Sequence, residues 1–239
     1  MQKKVAPSIK NIITPSFNSL KDIAKDFKCN KSIITVIHNG LDVDIFIPYE
    51  NIKRDPVRLI TTASADVPLK GLDYTLKALS LLKNEFNDIN LTVIGKLKKD
   101  GHTSRLINQL GISESIKFKT NLTKKEIAEE YAKSSVAIVS SLYEGFGYPV
   151  IEAMSCSTPL IAANTSSIPE LIGDYATLIP PRDTKSLTKS IKHIINNYDQ
   201  YKSISKKGRE HVIKKFNWSK ITDEYENTIF KAIEEHNKC

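Results

Sequence analysis

Two carboxylates, Glu144 and Glu152, bracket the stretch Glu144-Gly145-Phe146-Gly147-Tyr148-Pro149-Val150-Ile151-Glu152, whose residue types and spacing could do chemistry. Gly145 and Gly147 let backbone approach a ligand that a Cβ would hold away, and Pro149 suits the first turn of a helix, where its missing N–H costs nothing. Such a helix start offers unpaired N–H groups and a positive dipole end to an anion such as a pyrophosphate. Glu152 falls one turn into that helix and can point back to the same place. Like charges repel, so neither carboxylate is expected on the phosphate itself. Both are suited to accept hydrogen bonds from sugar hydroxyls.

That loop needs a strand before it and a sheet around it. Val136, Ala137, Ile138 and Val139 form the continuous apolar run expected of a strand covered on both faces. Strands are predicted at 57–63, 91–95, 116–119, 135–140, 160–163 and 176–179. Helices are predicted between them at 70–86, 104–110, from 124, and at 149–155. In the first of these Leu72, Leu76, Leu79, Leu82 and Phe86 share one face. Thr123 with Glu126, and Ser167 with Glu170, read as capping boxes. Alternating buried strands and helices imply an α/β fold, a doubly wound parallel sheet whose ligands lie beyond the carboxyl ends of the strands.

Ahead of this unit, residues 1–47 supply strands at 9–14 and 33–37 and a helix at 16–28, too little for an independent sheet, so they read as the remnant of a second domain. Residues 48–56 read as a polar linker, 57–198 as the complete domain, and 199–239 as C-terminal helices.

The 239 residues carry a net charge of +8 with a pI near 9.2, which favours anionic partners. Nucleotide phosphates and an acidic membrane surface both fit. Lysines are spread in short groups with no block dense enough for a nucleic-acid arm, and no nucleic acid partner is expected. Cys29, Cys156 and Cys239 form no CxxC pair, which argues against a disulfide framework or zinc site and fits a reducing cytoplasm. No stretch reaches the roughly 18 apolar residues of a membrane span, and no apolar h-region follows Met1, so the chain is expected to be neither secreted nor integral. The histidines form no metal constellation, and no strand is followed by the G-x-G-x-x-G of a dinucleotide-dependent dehydrogenase.

The stretch bounded by Glu144 and Glu152 resembles the E-x7-E signature of the retaining GT-B glycosyltransferases of family 4. Further stretches agree in order: His38-Asn39-Gly40-Leu41-Asp42, Lys70-Gly71-Leu72, Ile168-Pro169-Glu170-Leu171, Ile179-Pro180-Pro181 and Phe216-Asn217-Trp218. The resemblance implies a GT-B C-terminal Rossmann-like domain with Glu144 on the donor sugar hydroxyls and Glu152 on the ribose. It implies that the amides of Phe146, Gly147, Tyr148 and Val150 cradle the distal phosphate. Lys70 would neutralise the departing diphosphate; at a helix start a cation is otherwise unfavourable. Gly95 and Lys96, and Thr120, Asn121 and Leu122, would face the nucleotide base. Ser64 stands where the family usually has an arginine, removing one charged phosphate clamp. Ser157 and Ser166-Ser167 stand where it usually has glycines.

The implied activity is transfer of a sugar from a nucleoside-diphosphate sugar to a glycan or lipid-linked acceptor, with no cofactor and no metal, because Lys70 and helix amides serve in a cation's place. Residues 1–47 would then be a remnant of the acceptor domain. The alternative is a non-catalytic nucleotide-sugar-binding subunit that needs a separate N-terminal polypeptide. A sugar-nucleotide epimerase would need a set of catalytic carboxylates and histidines that is not identifiable here. The expected location is the cytoplasm, with the net charge compatible with docking at the inner face of a membrane. His38 reads as a strand-end residue, Asn39 and Asp42 as turn residues, Cys156 as core packing, and Trp218, Tyr225 and Phe230 as core or interdomain packing.

Overall fold

The computed structural model describes residues 8–237; residues 1–7 and Cys239, used in the sequence reading, lie outside the described residues. The described residues form two parallel sheets. The smaller pairs β1 (Ile12–Thr14) with β2 (Ile34–Val36), with α1 (Phe17–Asp26) between them in the chain.

The larger sheet has the strand order β5-β4-β3-β6-β7-β8, formed by β3 (Asp55–Thr62), β4 (Asn90–Ile94), β5 (Ile116–Lys119), β6 (Ser134–Val139), β7 (Leu160–Ala163) and β8 (Thr177–Ile179). Every pairing in it is parallel. The crossovers run through α2 (Leu72–Leu82), α3 (His102–Gln109), α4 (Lys124–Lys133), α5 (Tyr148–Ser155) and α6 (Ile168–Ile172). Three helices follow: α7 (Thr184–Asn196), α8 (Tyr198–Phe216) and α9 (Trp218–Asn237). This is the doubly wound arrangement the alternation predicts.

Strand periodicity assigns the two faces. Leu59, Leu91, Val136 and Ile138 pack with Leu76, Leu79 and Leu82 of α2 and Ile191 of α7. Ile60, Ala137 and Val139 pack on the other face with Val150 and Met154 of α5 and Val212 and Phe216 of α8. Being covered on both faces, β6 is buried at every position, which is why Val136–Val139 is apolar without alternation. Leu41, Val43 and Phe46, expected with the N-terminal remnant, are buried in the α5–α8 core instead, because the chain leaving β2 crosses directly onto the larger sheet.

The order places the reversal of winding between neighbours β3 and β6. The chain leaves β3 toward β4 and β5, and leaves β6 toward β7 and β8, so the two following loops part and open a crevice.

Local details depart from expectation in three places. Lys70 is not within a helix; it ends a tight 3-10 turn, Pro68–Lys70, and Gly71 in the left-handed region (φ 64°) separates it from α2. The capping box forms at Thr123 and Glu126 but not at Ser167, whose hydroxyl is drawn to the carbonyls of Glu144 and Phe146. Phe230 is 63% exposed, and Trp218, 41% exposed, lies against Gly40, where a Cβ would meet its ring at 2.4 Å.

Gly71 joins the two loops at the crevice: a Cβ there would sit 2.0 Å from the Ser140 carbonyl oxygen at the end of β6, in a conformation side chains resist. We expect Gly71→Ala to cost about 2–4 kcal/mol of stability in denaturant unfolding. A change below about 0.5 kcal/mol would contradict this packing.

Candidate functional site

At the mouth of the crevice, Lys70 from the loop after β3 meets Glu144 from the loop after β6. Lys70 Nζ lies 2.8 Å from Glu144 Oε1, and Ser141 Oγ donates to the same oxygen at 2.7 Å. Glu144 is 8% exposed, so its charge is largely removed from water and held by these two donors. Each contact to its carboxylate falls on Oε1; among the described residues Oε2 has no partner. The loops are laced beneath: Leu142 N donates to Leu69 O at 2.7 Å, and Ser140 Oγ donates to Gly71 O at 2.9 Å.

The glycine stretch then runs into α5. Glu144 N donates to Ser166 Oγ at 2.8 Å, and Gly147 takes φ 115° as it opens the helix. Among the described residues, none accepts a hydrogen bond from the amides of Gly145, Phe146, Gly147 or Tyr148. Unpaired backbone donors in a row at a helix start form a site for an anion. Val150 does not fit the expected cradle: its amide already donates to Gly147 O at 3.0 Å, closing the first turn.

Glu152 lies one turn into α5 on the wall of a cleft of about 300 Å³ that Asp42, Lys124, Tyr148 and Trp218 also line. Tyr131, itself 1% exposed, donates to Glu152 Oε2 at 3.3 Å. Burial pushes the Glu152 carboxyl up from 4.5 to about 7, while the Tyr131 hydroxyl and Lys124 pull the other way. The two carboxylates therefore differ in kind: Glu144 faces a cation at contact distance, and Glu152 faces a hydroxyl in an apolar wall.

The remaining predicted positions cluster at the carboxyl ends of β3, β4 and β5. A Cβ on Gly95 would lie 2.1 Å from Ala63 O and 3.6 Å from the Cα of Ser64, so β3 and β4 end in close backbone contact there. Ser64, Lys96, Thr120 and Asn121 are exposed, Asn121 with φ 56°, while Leu122 packs against the α5 core. Among the described residues no group of three or more His, Cys, Asp or Glu is placed to hold a metal ion. His38 is more than a strand-end residue: its ring packs among Phe17, Phe146 and Phe216, 3.8 Å from Glu170. Ser141, Tyr131 and Lys124 were not singled out from the sequence, since each reaches its carboxylate only through the fold.

The sequence profile described as glycosyl transferases group 1 matches residues 46–211. The chain belongs to the glycosyl transferases group 1 family. Over 236 residues it is 35% identical to the MMP α-(1→4)-mannosyltransferase of Mycolicibacterium hassiacum, covering 98% of this chain and 57% of that protein. It is 24% identical to the D-inositol 3-phosphate glycosyltransferase of Streptomyces bingchenggensis, covering 92% of this chain and 52% of that one. The chain thus spans just over half the length of these relatives. Its fold is that of a glycosyltransferase from Rickettsia africae (TM-score 0.82, 23% identity, 97% of this chain and 66% of that one). It is likewise that of Alr3699/HepE of Anabaena, solved with UDP and glucose (TM-score 0.83, 18% identity, 95% of this chain and 66% of that one).

In this glycosyl transferases group 1 chain the raised Glu152 carboxyl has a measurable cost. The folded state keeps its proton up to about pH 7, whereas the unfolded chain releases it near 4.5. Stability is therefore lost as pH rises between these values, by on the order of 3 kcal/mol from this group. We expect Glu152→Gln to raise the unfolding free energy at pH 8 and to have little effect at pH 4.5. Equal effects at both pH values would contradict the burial.

Proposed function

We propose that this chain is the donor-binding half of a retaining glycosyltransferase, moving a hexose from a nucleoside-diphosphate sugar to a glycan or lipid-linked acceptor. The observation that carries the reading is the row of unpaired amides from Gly145 to Tyr148 beside the Lys70–Glu144 pair at the winding reversal. The amides and Lys70 take the diphosphate, and Lys70 compensates the charge that grows on it as the sugar departs. Glu144, through the unpartnered Oε2, accepts from the donor sugar's hydroxyls. Glu152 accepts from the ribose, and the base lies over Gly95, Lys96, Thr120, Asn121 and Leu122. The phosphate oxygen released from the sugar takes the proton of the incoming acceptor hydroxyl. The mannosyltransferase name of the Mycolicibacterium hassiacum relative, and the UDP and glucose held by Alr3699/HepE, support a hexose donor.

Ser64 offers one hydroxyl where a guanidinium would give a charge and a bidentate fork, so the diphosphate leans on Lys70 and the amides. No helix among the described residues is long and apolar enough to cross a membrane. The acceptor comes from the side of β1, β2 and α1, where the described residues form only a two-stranded sheet.

A second reading, donor binding by a subunit completed by a separate N-terminal polypeptide, is favoured by one observation. Between that sheet and α9 runs an apolar groove lined by Ile12, Ile13, Ile229 and Ile233, with the last two each 50% exposed. Parallel strands are ordinarily covered on both faces.

Glu152→Ala is expected to weaken nucleoside-diphosphate binding by about 1–3 kcal/mol in calorimetry at pH 8, where the carboxyl is ionised, as for a lost charged hydrogen bond; unchanged affinity would remove Glu152 from the site. The purified 239-residue chain is expected to bind donor without transferring sugar, and turnover by this chain alone would rule out the need for a further polypeptide.

A further inference from the structure

Three consecutive carbonyls of the glycine stretch lie within hydrogen-bond distance of serine hydroxyls, two of them sharing the single Ser167 proton. Ser167 Oγ lies 2.8 Å from Glu144 O and also within hydrogen-bond distance of Phe146 O. Between them in sequence, Gly145 O accepts from Ser16 Oγ at 2.7 Å and from Ser19 Oγ at 3.0 Å. Ser16 and Ser167 are fully buried, so these hydroxyls do not exchange their partners with water. Ser16 and Ser19 belong to the start of α1, more than a hundred residues away in sequence and part of the other sheet's unit.

A trans peptide sets each N–H opposite the C=O of the preceding residue, and no cis peptide is present among the described residues. Holding the carbonyls of Glu144, Gly145 and Phe146 therefore turns the amides of Gly145, Phe146 and Gly147 the other way. Glu170 of α6, three residues after Ser167, accepts from the first-turn amides of α1, Phe17 N at 2.9 Å and Asn18 N at 3.4 Å. The amides of Gly145, Phe146 and Gly147 then point away from the serines, and all three are among those without a partner. Free of the serines, the peptides of a stretch containing two glycines could rotate, and a ligand would have to order them at its own cost.

We propose that Ser167, Ser16 and Ser19 are positioning residues that preorganise the amide cradle for the donor diphosphate. Part of the donor site's affinity is thus supplied by the N-terminal segment through the loop it holds. This gives a role to Ser167, which stands where glycine is usual. The proposal rests on the diphosphate reading above.

The test uses the full chain with UDP and GDP, and with uridine and guanosine as controls. Diphosphate affinity is read by calorimetry and nucleoside affinity by ligand-observed NMR. Ser167→Ala, and Ser16→Ala combined with Ser19→Ala, are each expected to lower affinity for the diphosphate that the wild type binds by about tenfold. Nucleoside affinity should stay within about twofold, because base and ribose contacts lie elsewhere. Ser19→Ala alone keeps the α1 cap made by Ser16 and should give a smaller loss in the same direction, with Ser19→Thr restoring it. Equal loss for nucleoside and diphosphate would make the serines merely structural and overturn the proposal, as would unchanged diphosphate affinity. A wild-type chain that binds neither diphosphate would overturn the diphosphate reading itself.

Discussion

Adjacent parallel strands whose following loops wind away in opposite directions leave backbone at their ends that no neighbouring strand can cover. In this chain those strands are β3 and β6, and the gap between their loops is closed by one ion pair, Lys70 to Glu144. The rest of the site is arranged around it. Pro68 and Gly71 force the tight turn that presents Lys70 ahead of α2. Ser141 shares the load on Glu144 Oε1, and Gly147 turns the chain so that α5 begins with its amides unpaired. Without Lys70 the buried Glu144 carboxylate would keep only the Ser141 hydroxyl, so the pair ties the two loops together.

The electrostatics of the two glutamates follow from the elements that carry them. Glu144 sits on a loop, where a cation from a second loop can reach it. Glu152 sits inside α5, facing Tyr131 and a largely apolar wall, and burial raises it to about 7. The same sequence signature therefore yields one carboxylate held by a cation and a hydroxyl through a single oxygen and one buried against a tyrosine hydroxyl.

Much of this was legible in the residues. The uninterrupted apolar run at Val136–Val139 marks a doubly covered strand, and the carboxylate, glycines and proline after it mark a strand-to-helix loop. The Thr123 capping box was readable because both its bonds close within four residues. Ser167 with Glu170 has the same local pattern, yet the fold gives Ser167 two carbonyls of another loop and gives Glu170 the first turn of α1. Local spacing cannot rank such partners, since they are brought together only after the sheet forms. The same holds for Val150, whose amide a sequence motif assigns to a ligand and the first helical turn takes back. It holds for Leu41, Val43 and Phe46, which read with the N-terminal remnant in sequence and lie in the core of the larger sheet in space.

The central claim is that the amides after β6 are an open anion cradle. It is tested most directly by following backbone amide resonances as UDP and GDP are titrated into the labelled chain. The account predicts that the largest shifts fall on Gly145, Phe146, Gly147 and Tyr148, with smaller ones near Lys70. Shifts absent from those four and concentrated elsewhere, such as the basic cleft lined by Arg54, Lys202 and Lys206, would contradict it.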